Sequence, residues 1–295
     1  MASFYDAPVL VARLLSGRLD ADLLPTEGYP VTLLTFDALR TLAFPPARYI
    51  KPEQMFAHRQ EIEAADILLF PEYWQINTLL YGLKARIFPS PASYYLGHNK
   101  IEQTRAMQAV FPHWMPKTAI YGSSRSSLER ILVEFRFPLV VKAVKSARGE
   151  GVALLHNEAE LFSWAANHEV LYVQERLEID RDVRVVWVGD QVLDAYWRLA
   201  PKGGFLNNVA QGGEVVRDPV PQAVLDMVAC VARQFGIDHA GFDVAWVNDQ
   251  PYFIEFNRIF GTQGLAGGAK AYAAAAMAYL QPAPVLDELP PPSAA

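Results

Sequence analysis

A hairpin near the carboxyl end of the chain constrains the fold and the chemistry more than any other segment. Two apolar runs, residues 241–247 and 252–257, flank a short polar stretch and are typical of paired antiparallel strands. The second run nevertheless contains Glu255 and Asn257. Because an unpaired buried charge costs on the order of several kcal/mol, these polar side chains are expected to have a partner.

The pairing register of this hairpin decides what that partner is. A three-residue loop at 248–250 places Asp243 directly opposite Glu255, with Asn257 on the same face. The other face is then wholly apolar: Phe242, Val244, Trp246, Tyr252, Ile254 and Phe256. Two facing carboxylates repel unless a cation lies between them, and an all-oxygen ligand set suits Mg²⁺. The alternatives are a solvated face with chance acids, or a two-residue loop that would put the two acids on opposite faces.

Composition limits the class of protein. A chain of 295 residues is longer than a single hydrophobic core usually accommodates, so two or three subdomains are expected. Its content of 52% hydrophobic and 20% charged residues is typical of a globular protein. A net charge of -6 gives no reason to expect a nucleic-acid partner. The single Cys230 excludes an internal disulfide and reads as a buried thiol on a helix. We see no signal peptide, and the longest apolar stretch is too short for a bilayer, so the prediction is a cytoplasmic protein without a membrane partner.

The first half of the chain predicts an α/β layer. Short apolar runs at 31–36 and 67–70 indicate buried parallel strands, and residues 52–65 between them have helical spacing, with Met55, Ile62 and Ala65 inward. A helix is expected at about 98–109.

The second half predicts an α+β arrangement. Strand-like segments occur in pairs, 139–142 with 152–155 and 183–188 with 191–197, and a helix is expected at 219–235. The predicted partition has an N-terminal domain (1–95), a central subdomain (96–178), a C-terminal subdomain (179–281) and a disordered tail (282–295).

A candidate phosphate site lies between the strands of the first of these hairpins. Lys142 interrupts an apolar strand, and the loop that follows contains Gly149 and Gly151 together with Lys145 and Arg148. Small residues let backbone N–H groups approach phosphate oxygens, and the cations add attraction. Two glycines alone are a weak signal, and an edge-strand lysine is the alternative for Lys142.

The order of these parts resembles the ATP-grasp superfamily. A strand lysine, a small-residue loop, "VQE", "DVR…VGD", a glycine pair and an Asp…Glu-x-Asn hairpin follow one another in the sequence. The chain is most similar to the branch that contains the RimK-type glutamate ligases and bacterial glutathione synthetases, from about residue 87 to about residue 280. The resemblance implies an ATP-grasp fold: a parallel pre-ATP-grasp domain, an α+β lid and an antiparallel-sheet subdomain.

The resemblance also implies a role for individual residues. ATP would be held by Lys100 and Lys142, by the loop with Lys145, Ser146, Gly149 and Gly151, by the linker Glu175, Arg176 and Leu177, by Asp182 at the ribose, and by Asn207. Arg198, Asn208 and Arg258 would act at the γ-phosphate and the substrates, and Asp243, Glu255 and Asn257 would hold two Mg²⁺ ions, with Mn²⁺ as an alternative.

The activity implied is an ATP-dependent carboxylate–amine ligase that forms an amide or peptide bond through an acyl phosphate. Its partners would be a small-molecule acid and amine, an amino acid or peptide among them, and a homo-oligomer stays open. The alternatives are an ATP-grasp phosphotransferase and a nucleotide-binding module without catalysis.

Two departures from the family concern the substrates. Leu206 stands where relatives commonly carry arginine, and residues 258–261 replace a segment that commonly ends in Pro-Gly. These departures leave the identity of the acid and the amine open.

Overall fold

A computed structural model describes residues 31–144, 151–199, 214–262 and 264–281. The chain divides into two compact units, residues 1–87 and 88–295. The finer partition into subdomains stays a prediction. Among the described residues, we find no helix with both the length and the apolar character needed to cross a bilayer.

The first unit contains a sheet with parallel strand pairs. Its strands are ordered β2-β1-β3-β4, and the elements are β1 (Leu33–Thr35), β2 (Arg48–Tyr49), α1 (Arg59–Ala64), β3 (Ile67–Leu69) and β4 (Ile87–Phe88), which lies at the unit boundary. Strand β1 pairs in parallel with β2 and β3, which confirms the predicted α/β layer.

The predicted helix over 52–65 is confirmed only over Arg59–Ala64, and the residues before it do not form an α-helix. A 3₁₀ turn at Pro52–Gln54 precedes α1, and its tight bonds, such as Met55 N–H to Pro52 O at 3.1 Å, do not continue into a long helix. Met55 and Ile62 are buried as predicted, and Ala65 is half-buried.

The second unit contains two antiparallel sheets and most of the helices described. Its helices are α2 (Pro91–Leu96), α3 (Lys100–Val110), α4 (Arg125–Glu134), α5 (Glu158–Ala166), α6 (Gln222–Phe235) and α7 (Gly268–Leu280). Its strands are β5 (Thr118–Gly122), β6 (Leu139–Lys142), β7 (Val152–Leu155), β8 (Val170–Glu175), β9 (Arg181–Val188), β10 (Gln191–Leu199), β11 (Glu214–Val216), β12 (His239–Val247) and β13 (Gln250–Asn257).

The first antiparallel sheet has the order β5-β8-β6-β7. Strand β6 pairs with β7 as predicted, in a register that ends with Lys142 opposite Val152. Because β6 lies between β8 and β7, the interpretation of Lys142 as an edge-strand lysine is wrong. An apolar core of strand residues with Ile131 of α4 and Leu161 of α5 supports this sheet.

The second antiparallel sheet has the order β11-β10-β9-β12-β13 and packs against α6. The apolar residues of α6 recur at helical spacing and are buried: Val224, Met227, Val228, Val231 and Ala232. Gly236, with a left-handed φ of 69°, ends the helix. Cys230 falls outside this stripe and is exposed, so the expectation of a buried thiol is wrong.

The β12–β13 hairpin confirms the predicted pairing of Asp243 with Glu255, but the predicted three-residue loop is wrong. The loop has two residues, Asn248 and Asp249, both with positive φ (49° and 59°), as a type I′ turn requires. A β-bulge after Asp243 then inserts one extra residue in β13 and restores the register that a two-residue loop would otherwise shift.

The same bulge corrects the predicted apolar face. Phe253 pairs with Val244 and joins the core, whereas Tyr252 and Ile254 are only partly buried and lie outside that core. The predicted placement of Tyr252 and Ile254 in the apolar face is therefore wrong, because the extra residue reverses the alternation beyond Asp243.

Candidate active site

One face of the second sheet carries polar side chains, and we call it the polar face. Strand alternation sends Val183, Val185 and Phe242 to the core under α6. The residues between them therefore lie on the opposite face. Strand pairing aligns them in rows, with Arg198 opposite Asp182, and Arg184 opposite Asp243, which in turn is opposite Glu255.

Four of these side chains form a buried ionic cluster, the guanidinium network: Asp182, Arg184, Arg198 and Asp243. Arg198 donates two bonds to Asp182, Nε to Oδ1 at 2.8 Å and Nη2 to Oδ2 at 2.6 Å. Its Nη2 also lies 3.1 Å from Asp243 Oδ1. Arg184 approaches the same carboxylate with Nε 2.6 Å from Oδ1 and donates from Nη2 to Oδ2 at 3.2 Å.

The network is balanced in charge and shielded from water. Burial lowers the pKa of Arg198, but the carboxylates of Asp243 and Asp182 outweigh burial and raise that pKa above its usual range. Gly241 makes room for Arg184, since an added Cβ would lie 2.7 Å from Arg184 Nη1. Arg198 therefore keeps its charge at neutral pH, while burial raises the pKa of Asp182 against the opposing effect of Arg198.

A second set of side chains is more open, and we call it the lysine group: Lys100, Lys142, Glu255 and Asn257. Lys100 begins α3 directly after the N-cap Asn99, whose side chain accepts from Ile101 N–H at 2.9 Å. The pKa of Lys100 is lowered, first by burial and also by the like charge of Lys142, while Glu255 acts in the opposite direction. The Lys100 side chain therefore lies within electrostatic reach of both Lys142 and Glu255.

Helix α3 is bonded to both sheets, and this positions the lysine group. The buried Gln103 donates from Nε2 to Phe256 O at 3.0 Å and accepts from Phe256 N–H at 3.0 Å, which ties α3 to β13 beside Glu255. Thr104 bonds the Tyr172 hydroxyl at 2.8 Å, and Lys142 Nζ lies 5.4 Å from the centre of the Tyr172 ring.

The oxygen atoms of the hairpin fit a hard cation. Asn257 Nδ2 donates to Glu255 Oε1 at 3.0 Å, so carboxylate and amide lie side by side on β13. Asp243 adds a second carboxylate from the facing strand. Carboxylate and amide oxygens are the donors that Mg²⁺ prefers. Within the described ranges, no group of three or more His, Cys, Asp or Glu side chains forms a metal cluster, so the amide is needed to complete this set.

The other predicted site residues lie in different surroundings. Both oxygens of the buried Asp182 accept hydrogen bonds from Arg198, and its predicted contact with a ribose stays a prediction. Arg258 lies with its guanidinium 4.6 Å from the Tyr94 ring centre.

The predicted linker, residues 175–177, forms backbone hydrogen bonds within the protein. Glu175 N–H donates to Lys117 O at 2.9 Å, and Arg176 pairs with Glu178 at 3.1 Å. Leu177 O accepts from Ile179 N–H at 3.1 Å.

The phosphate loop is described only at its end. Gly151 has a left-handed φ of 80°, and its carbonyl accepts from Ala143 N–H at 2.6 Å. The remaining predicted residues lie outside the described residues: Lys145, Ser146, Gly149, Leu206, Asn207 and Asn208.

Sequence reasoning missed Arg184 and the α3 residues that position the site. Arg184 lies two residues after Asp182, so strand alternation alone places it on the polar face. Gln103 and Thr104 follow Lys100 by three and four residues, the spacing that puts helical residues on one side. Both signals are present in the sequence. The groups that these side chains bond lie far away in the chain, so neither signal identified a contact.

Comparison with known proteins identifies the family. The RimK-like ATP-grasp domain model matches residues 103–280, and the chain belongs to this family. The predicted ATP-grasp fold and the resemblance to RimK-type ligases are thereby confirmed.

Relatives in bacteria are similar over part of their length. The chain is 29% identical over 157 residues to a probable alpha-L-glutamate ligase of Enterobacter sp. (strain 638), covering 51% of this chain and 52% of that protein. It is 29% identical over 199 residues to the ribosomal protein bS6–L-glutamate ligase of Escherichia coli O139:H28, covering 63% of this chain and 66% of that one. The chain thus spans about half the length of the first relative.

A solved structure supports the fold independently. The RimK domain ATP-grasp protein of Sphaerobacter thermophilus superposes with a TM-score of 0.57 at 15% identity, covering 73% of this chain and 81% of that one. At this level of identity the similarity concerns the fold.

Proposed function

We propose that the protein is an ATP-dependent carboxylate–amine ligase. The observation that carries this proposal is helix α3, which begins at Lys100 and is hydrogen-bonded both to Phe256 beside Glu255 and to Tyr172, whose ring lies under Lys142. Two buried or half-buried cations beside oxygen ligands for a divalent ion match what a nucleoside triphosphate requires. Membership of the RimK-like family supports the same conclusion.

The proposed chemistry proceeds in two balanced steps. A substrate carboxylate oxygen attacks the γ-phosphorus of ATP, which breaks the bond to the β-phosphate oxygen and yields an acyl phosphate and ADP. An amine then attacks the acyl carbon, loses a proton, and displaces inorganic phosphate to leave an amide. The protein contributes mainly positioning and stabilisation of negative charge.

Each part of the polar face has a role in this proposal. Lys100 and Lys142 bind phosphate oxygens as point charges, while Gly151 and the linker border the nucleotide. Arg198 stabilises charge near the γ-phosphate, and Asp182 orients Arg198 through its two bonds in addition to its predicted role at the ribose. Arg258, stacked on Tyr94, binds a carboxylate of the substrate.

Two Mg²⁺ ions would be held by Asp243, Glu255 and Asn257, with Mn²⁺ as an alternative. Bound Mg²⁺ neutralises charge on the triphosphate. The residues Lys145, Ser146, Gly149, Asn207 and Asn208 keep their predicted nucleotide and substrate roles as part of this proposal.

The proposed substrates are an amino acid or peptide that supplies the acid and a second one that supplies the amine. The named relatives are glutamate ligases, and one of them is named for a ribosomal protein as its acceptor. We propose a cytoplasmic location, consistent with the chemistry of ATP.

A screen for phosphate release tests this proposal. Purified protein with ATP and Mg²⁺ is offered amino acids and short peptides in pairs, and products are identified by mass spectrometry. A ligase releases phosphate and ADP only when an acid and an amine are both present, and the product is the two substrates joined with loss of water.

Other outcomes would point elsewhere. A product that is one substrate plus a phosphoryl group would indicate a phosphotransferase. ATP binding without turnover across the whole set would indicate a nucleotide-binding module and would contradict the proposal.

A further inference from the structure

Arg184 forms an ion pair with Asp243, whose carboxylate the proposed function assigns to a metal ion. Its Nε lies 2.6 Å from Asp243 Oδ1, and its Nη2 donates to Oδ2 at 3.2 Å. Arg198 adds a contact of 3.1 Å to Oδ1. Both oxygens of Asp243 therefore lie against guanidinium groups: Oδ2 accepts a hydrogen bond from Arg184, whereas Oδ1 has two close charge contacts without hydrogen-bond geometry.

Water does not loosen these contacts. The side chains of Arg184, Asp243 and Arg198 are only 12%, 5% and 4% exposed. Arg198 is additionally fixed by Asp182, whereas the bonds described for Arg184 go to Asp243 alone. Arg184 is thus the member of the network whose release requires the fewest bonds to break.

A cation that takes the oxygens of Asp243 competes with Arg184 for them. A displaced guanidinium without an anion would be a buried, uncompensated charge, which is strongly unfavourable. An incoming oxyanion removes this cost, because it gives the guanidinium a new bidentate partner. The two binding events are therefore coupled in free energy.

We infer that Arg184 is a positioning residue that holds Asp243 away from a divalent ion until an oxyanion draws the guanidinium aside, so that ion and oxyanion bind cooperatively. The inference rests on the proposed metal role of Asp243. Under this inference Arg184 controls metal binding, which a purely stabilising ion pair would not do.

The first test measures Mn²⁺ binding to nucleotide-free protein by electron paramagnetic resonance of the free ion. Arg184→Met removes the competing cation, so Mn²⁺ affinity should rise, by about 5- to 150-fold if the coupling has a typical size. A structural role predicts the opposite sign, because a disturbed site binds more weakly. Arg181→Met is the matched control: it lies on the same strand and pairs with the exposed Asp218 at 3.4 Å, and Mn²⁺ affinity should not change.

The second test uses the parent protein and does not depend on the folding of any variant. Sulfate serves as the probe oxyanion, since it is a tetrahedral anion without a nucleotide. Sulfate should tighten Mn²⁺ binding, and Mn²⁺ should tighten sulfate binding by the same factor. Independent binding of the two ions to the parent protein, or Mn²⁺ affinity that is unchanged or lower in folded Arg184→Met, would overturn the inference.

Asp243→Asn separates this inference from the proposed function. If Mn²⁺ binding is unchanged in Asp243→Asn, the metal assignment itself fails. If Mn²⁺ binding weakens in Asp243→Asn but does not strengthen in Arg184→Met, the metal assignment stands and only the role of Arg184 is wrong.

Discussion

The guanidinium network and the lysine group lie on neighbouring parts of one unit, yet they are built on different principles. In the network every charge has a partner at 2.6–3.2 Å, and its members are almost wholly buried. In the lysine group only Lys142 is buried, while Lys100, Glu255 and Asn257 are half-buried. A closed set of charges fixes the sheet, whereas a partly open set can exchange its neighbours for a ligand.

Asp243 belongs to the first set by its contacts and stands opposite Glu255 of the second by its register. The comparison therefore predicts that mutations in the lysine group affect turnover more than stability, and that mutations in the network affect stability strongly.

The largest effect is expected for Glu255→Ala. Turnover should fall by about 10²–10³-fold, because charge stabilisation at the reacting phosphate is lost. The free energy of unfolding in urea should change by less than about 1 kcal/mol, since the side chain is half-exposed. Glu129→Ala, on the exposed face of α4 with Arg125 at 3.1 Å, is the control and should keep full turnover. Turnover near the parent rate in Glu255→Ala would refute the metal assignment.

The next effect concerns Asp182→Asn. This change should lower the free energy of unfolding by about 3–5 kcal/mol, because it leaves Arg198 and Arg184 with a single buried carboxylate. Asp218→Asn breaks the exposed pair with Arg181 and should cost no more than about 1 kcal/mol. Urea unfolding of both variants gives the comparison. Equal losses would mean that the buried network contributes no more than a surface pair.

Asp238 offers a buried carboxylate whose donors are uncharged. Its Oδ1 accepts from Ser90 N–H at 2.7 Å and from the Ser93 hydroxyl at 3.2 Å, and burial raises its pKa to about 6. The folded state then binds a proton that the unfolded state has lost, so stability should fall as pH rises from about 4 to about 6, by about 3 kcal/mol.

Asp238→Asn keeps the acceptor oxygen and cannot ionise. The variant should therefore be more stable than the parent above pH 6, and its unfolding free energy should lose this pH dependence. Urea unfolding at a series of pH values provides the measurement. A parent protein whose stability is flat between pH 4 and 6 would contradict the assignment of a raised pKa.

The smallest effect is a change in the titration of Lys100. Lys142→Met removes a like charge and should raise the pKa of Lys100, whereas Glu255→Gln removes an opposite charge and should lower it. Carbon-detected NMR titration of labelled lysine side chains measures both. Identical Lys100 titrations in the two variants would show that the three side chains do not share one site.

Much of the fold was accessible from local pattern. The pairs β6–β7 and β9–β10 were predicted within a few residues, because each joins segments that are adjacent in the chain. The helix at 52–65 was less accessible, since periodicity reports which residues face inward but not whether the turns between them are α or 3₁₀.

The residue types of the candidate site could be predicted from the sequence, but its contacts could be predicted only in part. Lys100, Lys142 and Glu255 were chosen because each interrupts or borders an apolar segment or matches a family motif. The partners of Asp182 and Asp243 were not. A β-bulge in β10 sets the register that puts Arg198 opposite Asp182, and Arg184 reaches Asp243 across β9 and β12, which are distant in the chain.

The sequence by itself determined a carboxylate–amide hairpin, because side-chain alternation and residue chemistry are local properties, and the order of its motifs carried the resemblance to the ATP-grasp superfamily. Only the tertiary structure decided how Asp243 is held. A bulge after Asp243 preserves its pairing with Glu255 across a two-residue turn, and the neighbouring strand delivers Arg184 to its oxygens. Both depend on the register between strands, which is set by the packing of the whole sheet.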